Sequence, residues 1–262
     1  MKISIIGVGA MGGALAEGLI KGDYIQNEDI CVADPSRLSR ERFADMGITA
    51  TPSNQLAAQG ADIVCVVVKP WLVEQVLKSI KDVLDYQQQT LVVVAAGVKG
   101  SDITAWMDKG GNMLPTFLVI PNIAIAQLQS MTFIVPGASA TQQQTDQVRA
   151  LFDSMGQSII TDEQHLAAGT TLASCGIAYA LRYIRAASEG GVELGFKADE
   201  AKQIVMQTMK GAVELLLATG LHPEAAIDLV TTPGGLTIKG LNEMEHAGFT
   251  SAVIRGLKAG AK

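Results

Sequence analysis

The chain has 262 residues, with 20 Lys and Arg against 26 Asp and Glu, a formal net charge of −6. That acidic balance excludes nucleic acid as a general partner, because phosphate backbones need a basic face. At 48% hydrophobic and 18% charged residues the chain can bury a sizeable core, and with 5% aromatics and abundant Ala and Gly it suits close-packed helices better than an all-β core.

The length fits one large domain or two ordinary ones. The sequence enters a strand almost at once, so no targeting leader and no cleavage are expected. Cys31, Cys65 and Cys175 are an odd count at wide spacing, each in an apolar neighbourhood. They read as buried free thiols in a reducing, cytoplasmic compartment. The stretch from Leu166 to Leu181 carries no charge, but it is short of the ~20 strongly apolar residues of a membrane span. It reads as a buried helix, and no membrane association is expected.

The first stretch carries the most information. Ile3, Ile5 and Ile6 form a short apolar strand, Gly7, Gly9 and Gly12 follow at GxGxxG spacing, and Ala14, Leu15, Leu19 and Ile20 continue at helical spacing. Strand, glycine turn and helix together form a dinucleotide-binding fingerprint. Gly7 permits the tight turn, Gly9 lets backbone approach a pyrophosphate, and Gly12 lets the helix lie close to the strand. The helix N-terminus, opening at Ala10 and Met11, offers unpaired N–H groups to phosphates.

Glu28 to Asp34 reads as a second strand ending on an acid. An acid about 20 residues past the glycine turn is where a ribose 2′-hydroxyl would be held; the alternative is a strand-end turn residue or N-cap. Ala61 to Val68 is a continuous apolar run, as expected of a parallel strand covered on both faces. It ends at Val68-Lys69-Pro70-Trp71, before a helix through Val73, Val76, Leu77 and Ile80. Lys69 thus stands where open α/β sheets bind ligands. Thr90 to Gly97 is a further strand. Phe117 to Asn122 and Met131 to Val135 look like two more, a helix spans about Thr141 to Met155, and Ser158 to Ile160 reads as an edge strand. Apolar runs alternating with helical patterns predict a doubly wound sheet.

At Thr161 the texture changes. Thr161-Asp162-Glu163-Gln164 fits a capping box, opening a helix to about Ser188 that is rich in small residues. A second helix spans about Asp199 to Thr219 and a third starts at His222-Pro223. No strand is expected after about residue 160. The reading is α/β: a dinucleotide domain over 1–160 and an all-helical domain over 161–262.

The second informative stretch is Thr231-Thr232-Pro233-Gly234-Gly235-Leu236-Thr237, leading into a helix. Glycines expose N–H groups, hydroxyls add donors, and the helix N-terminus adds a favourable dipole, so the loop can hold a carboxylate. The alternative is a helix–helix connection with Thr237 as N-cap. His165, His222 and His246 are widely spaced and read as helix-surface or capping residues, so no metal site is expected.

Over nearly its whole length the chain resembles the pyrroline-5-carboxylate reductases. The resemblance rests on Gly7-Val8-Gly9-Ala10-Met11-Gly12, Val68-Lys69-Pro70, Ala95-Ala96-Gly97-Val98, Gly190 to Gly195 and the Thr232 to Thr237 core. Two segments differ from the family pattern, Ile120-Pro121-Asn122-Ile123-Ala124 and Ala173 to Tyr179. The resemblance implies a Rossmann-like, mostly parallel sheet followed by an all-α dimerisation domain, with dimers assembling further, often as decamers. It implies hydride transfer from NADPH or NADH to the C=N carbon of an imine carboxylate. Thr237 would be the catalytic and binding hydroxyl, with Thr232, Gly234 and the Gly235 N–H also on the substrate carboxylate. Asn54, Lys69, Ala96, Gly97 and Asn122 would join the glycine turn on the cofactor. Asp34 leans the choice to NADH, while Arg37 could pair with a 2′-phosphate. The alternatives are a related reductase of another cyclic imine acid and a non-catalytic nucleotide-binding regulator. The 3-hydroxyacid dehydrogenases use a lysine on the first long helix of their second domain, and Asp162 to Ser188 contains none.

Overall fold

The computed structural model describes residues 1–261, which divide into two compact units between Ser174 and Cys175. The first unit alternates strand and helix: β1 (Ile3–Ile6), α1 (Ala10–Lys21), β2 (Ile30–Ala33), α2 (Arg37–Ala44), β3 (Thr49–Thr51), α3 (Asn54–Ala58), β4 (Ile63–Val66), α4 (Pro70–Ile80), β5 (Thr90–Val93), α5 (Gly100–Met107), β6 (Thr116–Ile120), β7 (Ser130–Pro136), α6 (Gln142–Asp153), β8 (Gly156–Ile160) and α7 (Glu163–Gly169). The sheet order is β3-β2-β1-β4-β5-β6-β7-β8. All neighbours pair in parallel except β6 and β7. The strand order reverses between β1 and β4, the switch point at which doubly wound sheets bind ligands.

Alternation along the central strands explains the two cores. Ile5 and Cys65 face one side of the sheet, with Leu15, Leu19, Val148 and Phe152. Ile6 and Val66 face the other, with Val73, Leu77 and Ile103. Both faces are covered, as a parallel sheet requires. The three cysteines are free, but only Cys65 is fully buried; Cys31 and Cys175 are half-buried. Burial pushes the Cys65 thiol up to about 12.

The division between the units lies later than the expected 160/161 boundary. The segment after β8 stays bound to the sheet: Glu163 Oε1 accepts the Gly100 N–H at 3.1 Å, and Ser174 Oγ donates to the Pro121 carbonyl at 2.9 Å. A Cβ at Gly169 would stand 2.8 Å from the Phe133 ring. The expected single helix to Ser188 is broken by a π-helical turn, Thr170–Cys175. The cap of α7 is Asp162, whose carboxylate accepts the His165 N–H at 2.9 Å, and Thr161 plays no part in it. That bond holds the Asp162 carboxyl below the usual carboxylate range.

The second unit is wholly helical: α8 (Gly176–Glu193), α9 (Ala198–Thr219), α10 (Pro223–Leu229), α11 (Leu236–His246) and α12 (Phe249–Gly260). Gly191 on α8 lies so close to α9 that a Cβ would stand 2.9 Å from that of Ala201. Tyr183 and Phe249 meet edge to face at 6.4 Å. Yet among its described residues only Ala201 and Ala226 are buried, while Leu194 is 83% exposed, Leu217 71% and Leu236 88%. A unit of this size cannot offset its chain entropy without a core. Its apolar faces are those of half a core awaiting its complement. Among the described residues no single helix is long and apolar enough to cross a membrane. Thermal unfolding is therefore expected to depend on protein concentration, the midpoint falling by roughly 2–4 °C per tenfold dilution. Scanning calorimetry at two concentrations checks this, and an invariant midpoint contradicts it.

Candidate functional site

In the first unit the candidate site lies along the C-terminal ends of the parallel strands. The Gly7 N–H donates to the Ala33 carbonyl at 2.7 Å and the Val67 N–H to the Ile6 carbonyl at 2.8 Å, so the ends of β2, β1 and β4 stand abreast. Gly7 has φ +92°, and a Cβ there would overlap the Val67 carbonyl. At Gly12 a Cβ would overlap the Gly7 carbonyl, which is how α1 lies directly on the turn. Gly9 is different: nothing lies within 4 Å of its absent Cβ, and its φ is an ordinary −66°. Its bareness serves open space rather than folding. Helix α1 has no side-chain cap and no acid in its first turn. The N–H groups of Ala10 and Met11 are thus free for an anion, whereas that of Gly13 donates to the Gly9 carbonyl at 2.7 Å. These features fit a dinucleotide pyrophosphate.

Asp34 is locked in place. Its Oδ2 accepts the Val8 N–H at 2.9 Å, its Oδ1 accepts the Ser36 N–H at 2.8 Å, and Arg40 donates to its carbonyl at 2.7 Å. The cap of α2 is Ser36, so the N-cap alternative for Asp34 does not hold. The carboxylate joins the end of β2 to the glycine turn, and its bond from the Ser36 N–H two residues on is that of a strand-end turn residue. The Asp34 N–H donates to Thr51, which brings the end of β3 and half-buried Asn54 alongside. Val68, exposed Lys69 and Pro70 form the turn from β4 into α4, with Pro70 at the first helical position. Ala96 and Gly97 (φ +81°) are exposed just past β5. Asn122 follows β6 but is buried: Oδ1 accepts the Ala124 N–H at 3.0 Å, and Nδ2 reaches the Ala173 carbonyl at 3.4 Å. Its amide clips the π-helical turn to the sheet. The Asp34 clamp by Val8, Ser36 and Arg40 is invisible to sequence reasoning; the only signal is an arginine six residues past a strand-end acid.

In the second unit, Thr232-Pro233-Gly234-Gly235 is a tight turn with Gly234 at φ +70°, the position where Pro followed by Gly fits a type II turn. The Gly235 N–H donates to the Thr232 carbonyl at 2.9 Å. It is therefore committed to the turn, which departs from its expected role as a substrate donor. A Cβ on Gly235 would overlap the Thr232 hydroxyl, so the turn requires glycine here. Gly235 is also the cap of α11, without a side-chain bond, and no acid lies in that helix's first turn. Thr237 is the second residue of the helix rather than its N-cap, and its exposed hydroxyl has no partner among the described residues. The histidines do structural work: His222 Nδ1 accepts the Glu224 N–H, and His165 pairs with Asp162.

Comparison with known proteins gives the family. Residues 163–262 match the family model for pyrroline-5-carboxylate reductase dimerisation. Residues 2–97 match that for NADP oxidoreductases, coenzyme F420-dependent. Pyrroline-5-carboxylate reductase 2 of Dictyostelium discoideum is 34% identical over 100% of this chain and 91% of its own length. The chain belongs to the pyrroline-5-carboxylate reductase family. Pyrroline-5-carboxylate reductase 1 of the same organism is 36% identical over 97% of this chain, which spans 48% of that protein. The crystal structure of the Plasmodium falciparum pyrroline carboxylate reductase with NADP bound shares the fold, with a TM-score of 0.90 at 24% identity over 100% of this chain and 95% of that one.

The open space at Gly9 gives a direct check. Gly9→Ala is expected to leave the melting temperature unchanged but to weaken NADH binding at least tenfold, because the methyl stands where backbone must meet the pyrophosphate. Calorimetric titration measures this, and unchanged affinity contradicts the placement.

Proposed function

We propose that the chain reduces the C=N bond of 1-pyrroline-5-carboxylate to L-proline with a nicotinamide cofactor, the last step of proline biosynthesis. Membership of the reductase family over the full length carries this reading. When bound, the cofactor supplies the hydride. The chain's own part is positioning. The bare Gly9 backbone and the N-terminus of α1 would hold the pyrophosphate, and Asp34 with Asn54 the adenosine ribose. Val68, Lys69, Pro70, Ala96, Gly97 and Asn122 would line the remainder. In the helical unit, the uncapped N–H groups that open α11 and the free Thr237 hydroxyl would hold the substrate carboxylate. The Thr232 to Gly235 turn would support them from behind. A cyclic imine can take its proton from water, so orientation rather than a strong protein acid lowers the barrier.

We infer use of both NADH and NADPH with a preference for NADH. The Asp34 carboxylate, fixed by two backbone N–H groups, repels a 2′-phosphate. Arg37 pairs with Glu41 at 2.6 Å, but the pair is exposed and contributes only about 0.5 kcal/mol, so Arg37 remains available to a phosphate. The open apolar faces of α8 to α12 support a homodimer through the helical unit, and we infer that dimers assemble into a higher oligomer such as a decamer. We place the protein in the cytoplasm.

Thr237→Ala is expected to lower kcat/KM for 1-pyrroline-5-carboxylate by about 10- to 100-fold while leaving cofactor affinity unchanged; unchanged efficiency refutes the assignment. Asp34→Ser is expected to shift the NADPH-to-NADH efficiency ratio upward by about tenfold or more, ~1.4 kcal/mol. A wild-type enzyme more than about tenfold better with NADPH contradicts the preference.

A further inference from the structure

Trp71 has no role in the cradle described above. It is the second residue of α4 and is 76% exposed, an unusual state for the side chain with the most apolar surface to hide. The inward face of α4 is made by Val73, Leu77 and Ile80, all fully buried. Trp71 lies two residues before Val73, about 200° around the helix, on the face away from the core. No aromatic or cationic side chain among the described residues covers its ring.

Its place in the fold gives this exposure a use. Ile6 aligns with Ala33 on one side and Val66 on the other, so Asp34, the glycine turn and the turn into α4 stand in one row. Val68 packs on Gly7 so closely that a Cβ there would stand 2.6 Å from Cγ1. Helix α3, with Asn54 at its start, packs beside α4. The space past the strand ends is therefore bounded by Asp34 and Asn54 on one side and by the first turn of α4 on the other. A ribose held at Asp34 directs its base into that space. Adenine presents a π face that stacks well on an aromatic side chain. The other exposed aromatic residue of this unit, Tyr24, follows the C-terminal end of α1, the end away from the glycine turn.

We propose that Trp71 is a positioning residue for the cofactor, its indole stacking on the adenine of the bound dinucleotide. This rests on the dinucleotide-binding role proposed for the glycine turn and Asp34. Trp71 thereby adds affinity for the adenosine half, whatever the 2′-substituent.

The test uses the full-length protein and two half-cofactors: ADP-ribose, which lacks nicotinamide, and reduced nicotinamide mononucleotide, which lacks adenine. Calorimetric titration is expected to show Trp71→Ala weakening ADP-ribose about tenfold, with Trp71→Phe within about threefold of wild type. Affinity for the mononucleotide is expected to be the same in all three. Because the chain has two tryptophans, Trp106→Phe leaves Trp71 as the sole indole, and ADP-ribose is expected to quench its emission. Equal ADP-ribose affinity in wild type and Trp71→Ala overturns the proposal while leaving the dinucleotide site intact. An equal loss for the mononucleotide overturns the assignment to adenine. ADP-ribose that fails to bind wild type overturns the dinucleotide site and this proposal with it.

Discussion

The first unit depends on one close approach, that of α1 to the end of β1. Two missing side chains make it possible. A Cβ on Gly12 would overlap the Gly7 carbonyl, and one on Gly7 would overlap the Val67 carbonyl of the next strand. With both absent, the helix N-terminus stands directly over the row of strand ends. Everything proposed for the cofactor follows from that placement: unpaired N–H groups face open space at Gly9, and the Asp34 carboxylate is close enough to accept the Val8 N–H. One hydrogen bond thus couples the acid at the end of β2 to the glycine turn. Loss of either glycine would move both.

The sheet was legible because a parallel strand covered on both faces must be an unbroken apolar run, as Ile63 to Val66 and Thr90 to Val93 are. The edge strand Thr49–Thr51 lacked that signal, being three residues long and partly exposed, and it went unread. The π-helical turn at Thr170–Cys175 was hidden for another reason. It changes the hydrogen-bond step, not the composition, so its small residues read as one continuous α-helix. The Thr161 capping box failed because Asp162, one position later, offered a carboxylate to the same helix end. In the Thr232 to Thr237 loop the motif was plain, but the commitment of the Gly235 N–H to Thr232 was not. That bond exists only because the Pro-Gly pair folds into a type II turn, which brings the two groups to 2.9 Å. Trp71 was visible as a residue and silent as a function, since nothing in a sequence reports that an indole is left uncovered.

The helical unit has its own logic. Its sequence is apolar enough for a core, and its helices pair through small residues such as Gly191 and Ala201. Within one chain that core does not close: α8, α11 and α12 bury no residue at all. Folding and association are then one event, and the order of the turn that opens α11 shares its stability with the dimer.

The most direct measurement follows the hydride. Incubation with 1-pyrroline-5-carboxylate and NADH deuterated at the transferring position, followed by mass spectrometry, is expected to give proline with one deuterium at the ring carbon that was the C=N carbon. Its formation should match NADH oxidation one to one. NADH bound tightly without labelled proline would contradict the reductase and leave a nucleotide-binding protein in its place.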